Sequence, residues 1–256
     1  MSFQTIEFTY ADGIARLALN RPDVVNALNR TMRAEIVAAL AELPQGTRCL
    51  VLTGNGRGFC SGQDLTDAGG DFDVETILRN EYEPMLAAIS DAPVPVIAAV
   101  NGIAAGAGAN LALAADVVIA AQSASFVQAF SRIGLIPDAG GTFIVPRSVG
   151  VARAMGMMLF AERIPAAKAV EWGLIWEAVP DGDFAATVTA RARSLAEGPT
   201  AAFLAIRQAL RASGSNDMAE QLRLEARLQG RMARTRDFAE GVAAFLEKRA
   251  PRFRGD

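Results

Sequence analysis

The chain contains no histidine among its 256 residues. That removes the usual imidazole base and, with it, Ser-His-Asp and Cys-His arrangements. Only two cysteines occur, Cys49 and Cys60. Without histidine they do not make an ordinary zinc site, and two are too few for a disulfide scaffold. Lysine is equally scarce, at Lys168 and Lys248. Acid–base chemistry therefore falls to Asp, Glu, Tyr, Cys or one of these two lysines, and no bound metal is expected. Positive charge is not in excess either. The formal net charge is −3, which argues against a broad electrostatic nucleic-acid surface. Residues 1–7 lack the basic and apolar regions of a signal peptide, so a cytoplasmic location is expected. The longest apolar stretch, 94–121, is interrupted by Asn101, Asn110, Asp116 and several glycines. It falls short of a membrane span and reads as buried strands with a helix.

What is present is apolar and patterned. Hydrophobic residues make up 51% of the chain and charged ones 21%, enough for one large domain or one domain with a helical extension. Residues 6–10 and 14–19 alternate as half-buried strands, joined by a hairpin at Asp12-Gly13. A helical stripe follows over 31–43, stopped by Pro44 and Gly46. The runs 49–53, 96–100 and 117–121 are short and continuously apolar, the form of buried parallel strands. Residues 74–89 read as an amphipathic helix. These alternations predict an α/β core. Beyond residue 149 helical patterns dominate: 151–160, 166–172, 184–196, 200–212, 217–234 and 238–248. A soft boundary near Gly198-Pro199 divides an α/β part, 1–198, from a helical part, 199–256. No internal sequence repeat is visible.

Three segments have the composition of a site. Gly58-Phe59-Cys60-Ser61-Gly62-Gln63-Asp64-Leu65 follows a buried strand. It reads either as a turn that aims backbone N–H groups outward or as an ordinary loop before an Asp-capped helix. With no cationic neighbour to lower its pKa, Cys60 reads as inert packing. The second segment, Asn101 to Leu111, opens a helix with small residues. Its free N–H groups suit an oxyanion or phosphate, and its small residues equally suit close helix–strand packing. Leu111 stands where a dinucleotide fingerprint needs its third glycine, and the G-K-[ST] of a phosphate loop is missing. In the third, Ile133 to Thr142, Asp138 sits between a proline and two glycines in apolar company. It is either a helix N-cap or a carboxylate whose desolvation raises its pKa and makes it a general base.

Together these segments are more specific than each alone. The order N-R-P-x-x-x-N-A-L, G-F-C-S-G-x-D-L, V-N-G-x-A-A-G-A-G and G-L-I-P-D-A-G-G-T resembles the enoyl-CoA hydratase/isomerase (crotonase) superfamily. The likeness continues through A-x-x-W-G-L-I (169–175) to E-G-V-x-A-F-L-E-K-R-x-P-x-F (240–253), and so covers essentially the whole chain. Within the family, G-L-I-P-D-x-G-G-T, E-W-G-L-I-W and the C-terminal motif look most like the ring-1,2-epoxyphenylacetyl-CoA isomerases of aerobic phenylacetate degradation.

The resemblance implies a spiral of ββα units with a helical C-terminal trimerisation region, assembled as a homotrimer or a dimer of trimers. It implies an acyl-CoA thioester substrate, with coenzyme A part of that substrate and no separate cofactor. By motif, the thioester carbonyl is held between the backbone N–H groups of Gln63 and Ala107, where backbone placement matters more than side-chain identity. One such donor is worth roughly 3–4 kcal/mol in the transition state. The two glutamates of the family's hydratases fall at Asn110 and Phe130, neither a carboxylate, and both are expected to line the acyl pocket with the 72–85 region. Asp138 stands where the isomerase branch carries its acid/base carboxylate. One carboxylate suits a 1,3-proton shift, because it removes a proton and returns it elsewhere. The implied reactions are a double-bond shift in a 3-enoyl-CoA, 3,4-dehydroadipyl-CoA included, and rearrangement of the ring epoxide of phenylacetyl-CoA to an oxepin-CoA. The alternatives are an enoyl-CoA hydratase, thioester hydrolysis, and a non-catalytic acyl-CoA-binding subunit. The likeness places Val24, Val25, Ala27, Asp64 and Leu65 around the nucleotide. It places Phe245 and Lys248, of the same or of a neighbouring subunit, at the phosphate end. Lys248 equally reads as a cation at a solvated helix end, where it meets the dipole favourably.

Overall fold

A computed structural model describes residues 3–67 and 73–256. Among the described residues, ten strands form two sheets. The larger contains β1 (Ile6–Ala11), β2 (Ile14–Leu19), β3 (Cys49–Gly54), β5 (Val96–Val100), β7 (Val117–Ala121) and β10 (Glu177–Val179), in that spatial order. The smaller contains β4 (Gly58–Cys60), β6 (Ile103–Ala105), β8 (Ser125–Val127) and β9 (Ile164–Pro165). The hairpin β1–β2 is antiparallel, and β2, β3, β5, β7 and β10 then run parallel. Strands β4, β6 and β8 are parallel to one another. The chain therefore repeats one step: a long strand in the large sheet, a short strand in the small sheet, then helix. This is the expected ββα spiral.

The parallel strands are apolar throughout because both faces are covered. Alternation decides which cover each residue meets. Leu50 and Leu52 of β3 face the main core, with Met32 and Ile36 of the helix Arg30–Ala41 and Met85 and Ile89 of the helix Glu83–Ser90. Cys49 and Val51 face the other way, into a smaller cluster with Val188, Ala192 and Ala196 of the helix Phe184–Ala196.

The amphipathic helix expected over 74–89 forms as Val74–Ile77, a π-turn at Leu78–Tyr82, and Glu83–Ser90. Pro84 explains the widened turn, since it offers no N–H to the preceding turn and its ring crowds that turn's carbonyls. The C-terminal helices Thr200–Ser213, Met218–Met232 and Arg236–Glu247 follow the expected pattern closely. The first is tied to the α/β part by Arg207, which pairs with Asp116 and donates to the carbonyls of Ala92 and Val94. Arg48 adds hydrogen bonds to Thr200 Oγ1 (2.7 Å) and the Arg254 carbonyl (2.6 Å). Among the described residues no helix is long and apolar enough to cross a membrane.

Candidate active site

The three sequence segments converge on one cavity of about 270 Å³. Ser61, Gly62 and Gln63 line it from the first segment and Gly106 and Ala107 from the second. Asp138 lines it from the third, and Leu78 and Tyr82 of the π-turn complete the wall. A larger groove of about 750 Å³ lies elsewhere, beside Phe203 and Ile206. Its carboxylate, Asp116, is already neutralised by Arg207.

Two backbone segments meet here because their residues are small. The helix Ala107–Leu113 packs directly on β4: a Cβ at Gly108 would lie 2.6 Å from both the carbonyl oxygen and the sulfur of Cys60. Gly62 and Gly106, each immediately before a candidate donor, adopt positive φ values of +96° and +52°. Side chains rarely take such angles, so glycine allows both turns to aim the next N–H. Leu28 bonds to the Gly62 carbonyl and to the Asp64 N–H. In a parallel bridge of this kind the N–H of Gln63 itself faces away from Leu28. Gly62 also sits against the Ala107 nitrogen, which a Cβ there would approach to 3.4 Å. Among the described residues, neither the Gln63 nor the Ala107 N–H has a protein acceptor.

Asp138 is not a helix cap. The following helix, Gly141–Val149, starts after Gly140, and Asp138 contributes its carbonyl, which accepts from the Gly141 N–H at 2.8 Å. Its carboxylate Oδ1 is buried without a hydrogen-bond partner. Burial raises its pKa from the ordinary 3.8 to about 6, only partly offset by its own backbone N–H. Among the described residues no guanidinium or ammonium neutralises it, so the group holds or releases a proton near neutral pH.

Asn110 departs from the expected acyl lining. It is fully buried behind the cavity wall. Its Nδ2 donates to the Asp138 carbonyl at 2.8 Å, and its Oδ1 accepts from Gln128 Nε2 at 2.8 Å. The amide thus fastens the Asp138 turn from behind and, fully buried, is not among the residues that line the cavity. Phe130 does line the cavity, with Leu65, Val74, Ile77, Ile133 and Leu135. Of the 72–85 region, Met85 is core, and Phe72 lies outside the described residues.

Gln63 also differs from a residue that matters only through its backbone. Its Oε1 accepts from Tyr82 Oη at 2.5 Å and from Arg33 Nη1 at 3.0 Å, and its Nε2 donates to the Asp64 carbonyl at 2.9 Å. Arg33 is itself buried, paired with Glu81 and stacked 4.9 Å from the Tyr82 ring centroid. Burial pushes the Tyr82 phenol well above its usual value, so it remains a neutral donor. Sequence pattern did not reveal Arg33, Glu81 or Tyr82: a charged pair beneath a cavity has no local signature. Asn26 did carry a signal, as part of N-R-P-x-x-x-N-A-L. It is fully buried, and its Nδ2 reaches the carbonyls of Asn55, Gly58 and Phe59, each at 3.0 Å. It thereby shapes the turn into β4.

The expected nucleotide residues divide into two groups. Val24, Val25 and Ala27 come beside Ser61 to Leu65: the Ser61 N–H donates to the Val25 carbonyl at 2.9 Å and its hydroxyl to the Val24 carbonyl at 3.0 Å. Val24 and Leu65 are exposed, whereas Ala27 is buried. The Asp64 carboxylate is consumed by Thr66 and Arg21, whose hydrogen bonds hold its pKa below the ordinary range, so it is occupied within the fold. Phe245 and Lys248 do not reach this cavity in the single chain. Phe245 lines a separate groove among the C-terminal helices, and Lys248 caps the last helix. Cys60 is wholly buried and burial pushes its thiol up to about 12, as suits packing. Among the described residues no cluster of carboxylates and cysteines could hold a metal ion.

The sequence model described as "Enoyl-CoA hydratase/isomerase" matches residues 9–256. The chain belongs to the enoyl-CoA hydratase/isomerase family. It is 60% identical to a probable enoyl-CoA hydratase of Rhodobacter capsulatus over 256 residues, all of both chains. It is 46% identical to the 1,2-epoxyphenylacetyl-CoA isomerase of Escherichia coli over 95% of both chains. A crystal structure of a putative enoyl-CoA hydratase from Streptomyces coelicolor superposes with a TM-score of 0.93 at 36% identity. That match spans 100% of this chain and 96% of the other. The protein is thus an enzyme of this family, acting on acyl-CoA thioesters, and coenzyme A belongs to its substrate.

Proposed function

We propose that the protein is an acyl-CoA isomerase in which Asp138 alone moves the proton. The observation that carries this reading is the buried Asp138 oxygen, which has no partner in the cavity wall. The thioester carbonyl would accept from the N–H groups of Gln63 and Ala107. Ionised Asp138 removes a proton from the carbon beside the carbonyl of a 3-enoyl-CoA. The electron pair moves through the conjugated system onto the carbonyl oxygen, where the two N–H groups stabilise the charge. Protonated Asp138 then returns the proton two carbons further on, and the double bond enters conjugation. No water is consumed.

The cavity supports this over hydration. Where the family's hydratases carry glutamates, Asn110 is committed behind the wall and Phe130 transfers no proton. The small, largely apolar space suits a compact acyl group. This supports the ring epoxide of phenylacetyl-CoA as substrate, in keeping with the Escherichia coli relative. Hydration is the second reading, favoured by the 60% identity to the probable enoyl-CoA hydratase of Rhodobacter capsulatus. It requires Asp138 to direct a water by itself. We assign the adenine end of coenzyme A to Val24, Val25, Ala27, Asp64 and Leu65, with Asp64 acting through its backbone. Because Phe245 and Lys248 point elsewhere within one chain, their proposed role at the phosphates requires a neighbouring copy. A homotrimer or dimer of trimers, built through the 199–256 region, would supply one.

The test is a mass-resolved assay on a 3-enoyl-CoA, on crotonyl-CoA and on the ring epoxide. Conversion of the 3-enoyl thioester at constant mass supports the isomerase. Gain of one water on crotonyl-CoA with no isomerisation replaces it by the hydratase.

A further inference from the structure

We infer that Tyr82 and Arg33 are positioning residues that set the Gln63 N–H for the thioester oxygen, acting through the Gln63 side chain. This rests on the proposed function, since it presumes that this N–H receives the carbonyl. Among the described residues, the contacts that pin residue 63 come from Leu28, Arg33, Tyr82 and the adjacent Asp64 carbonyl. Leu28 holds the flanking peptide groups at Gly62 and Asp64. That leaves rotation of the chain about the Leu28 contact as the free motion, and the Gln63 side chain blocks it. Its Oε1 is gripped by two donors from different helices: Arg33 on Arg30–Ala41 and Tyr82 in the π-turn. Its Nε2 returns to the adjacent Asp64 carbonyl. The amide is a strut between the donor loop and the cavity wall.

The strut is rigid at its far end. Arg33 is anchored by Glu81 at 2.5 Å and by the Leu28 carbonyl at 2.7 Å, the same carbonyl that holds the Asp64 N–H. Donor loop and anchor therefore share one acceptor. Tyr82 meanwhile lines the acyl cavity with its ring and grips Gln63 with its hydroxyl. An acyl group that fills the cavity presses the ring that holds the donor loop. Fit of the acyl group and alignment of the N–H are thus mechanically linked. Preorganised donors accelerate a reaction only when they are fixed before charge develops, and displacements of about 1 Å cost large factors in rate.

Tyr82→Phe is the sharpest variant, because the ring, its packing and its stacking with Arg33 remain, and Gln63 Oε1 keeps the Arg33 donor. Gln63→Met, similar in length but unable to hold either partner, is the second. Two readouts distinguish positioning from general stability: the split between kcat and KM on a 3-enoyl-CoA, and the infrared carbonyl stretch of a bound ¹³C-labelled 2-enoyl-CoA. We expect Tyr82→Phe to lower kcat about tenfold with KM changed less than threefold. The carbonyl band should lose part of the downshift that the wild type imposes, and Gln63→Met should lose more. If Tyr82→Phe retains kcat within twofold and the full downshift, the inference is overturned. It is also overturned if both variants lose activity only in proportion to the folded fraction read by circular dichroism. A wild type that binds the thioester yet leaves its carbonyl band unshifted would instead overturn the proposed function, and this inference with it.

Discussion

At the scale of single residues the decisive feature is a carboxylate left without a partner. Burial desolvates Asp138 and raises its pKa to about 6, its own backbone N–H offsetting this only in part while Oδ1 has no partner. The base must be ionised to take a proton, so kcat/KM should rise with unit slope as pH increases toward about 6 and level off above it. A pH–rate profile on a 3-enoyl-CoA checks this. The same shift has a stability consequence of opposite sense. The folded pKa lies above the unfolded one, so the stability this group supports is present below about pH 4 and lost as pH rises through about 6. At pH 7.5 the buried charge costs about 1–3 kcal/mol. Asp138→Asn should therefore remove isomerisation by about a thousandfold and raise Tm at pH 7.5, with the gain fading near pH 4. Calorimetry at the two pH values measures it. The chemistry of Asp138 was half legible in the sequence: its apolar neighbours suggested desolvation, but a helix cap fitted equally well. The choice needed the start of the next helix, which lies after Gly140 and takes only the Asp138 carbonyl, leaving Oδ1 unpartnered.

At the scale of elements, close contact between small residues places the two donor segments. Gly108→Ala puts a methyl group where the Cys60 carbonyl and sulfur already stand. We expect a loss of about 1–3 kcal/mol by denaturant unfolding. A larger fall in kcat than in thermal stability should accompany it, because the helix carrying Ala107 must shift. Long strands such as β3 and β5 were readable because continuous apolar runs are required of buried parallel strands. The short strands β4, β6 and β8 were not. Three residues cannot display a period, and the glycine of β4 and the alanines of β6 carry little strand preference. This is also why no repeat was visible, although the chain builds the ββα step three times. The repeat resides in backbone path, while each copy uses its own side chains.

At the scale of the whole molecule, arginines join the C-terminal helices to the core across long sequence separations. Arg48 bonds to Thr200, to the Gly198 carbonyl and to Arg254, spanning the boundary expected near residue 198. Arg48→Met keeps the aliphatic stem and removes the donors. It should lower stability by about 1–3 kcal/mol and open the chain near 198 to limited proteolysis before global unfolding. Family and order of units were legible because four motifs follow one another in a fixed sequence. The positions of Phe245, in a groove among the C-terminal helices, and of Lys248, at the end of the last one, were not, since a helical pattern does not fix how those helices pack.

The central claim is that one carboxylate, without added water, performs the reaction. Its most direct test compares wild type and Asp138→Asn on a 3-enoyl-CoA above pH 7, following conjugated thioester by absorbance and product by mass. The account predicts conversion at unchanged mass by the wild type, and none by a folded variant that still binds the thioester. Undiminished conversion by Asp138→Asn, or a wild-type product heavier by one water, would contradict it.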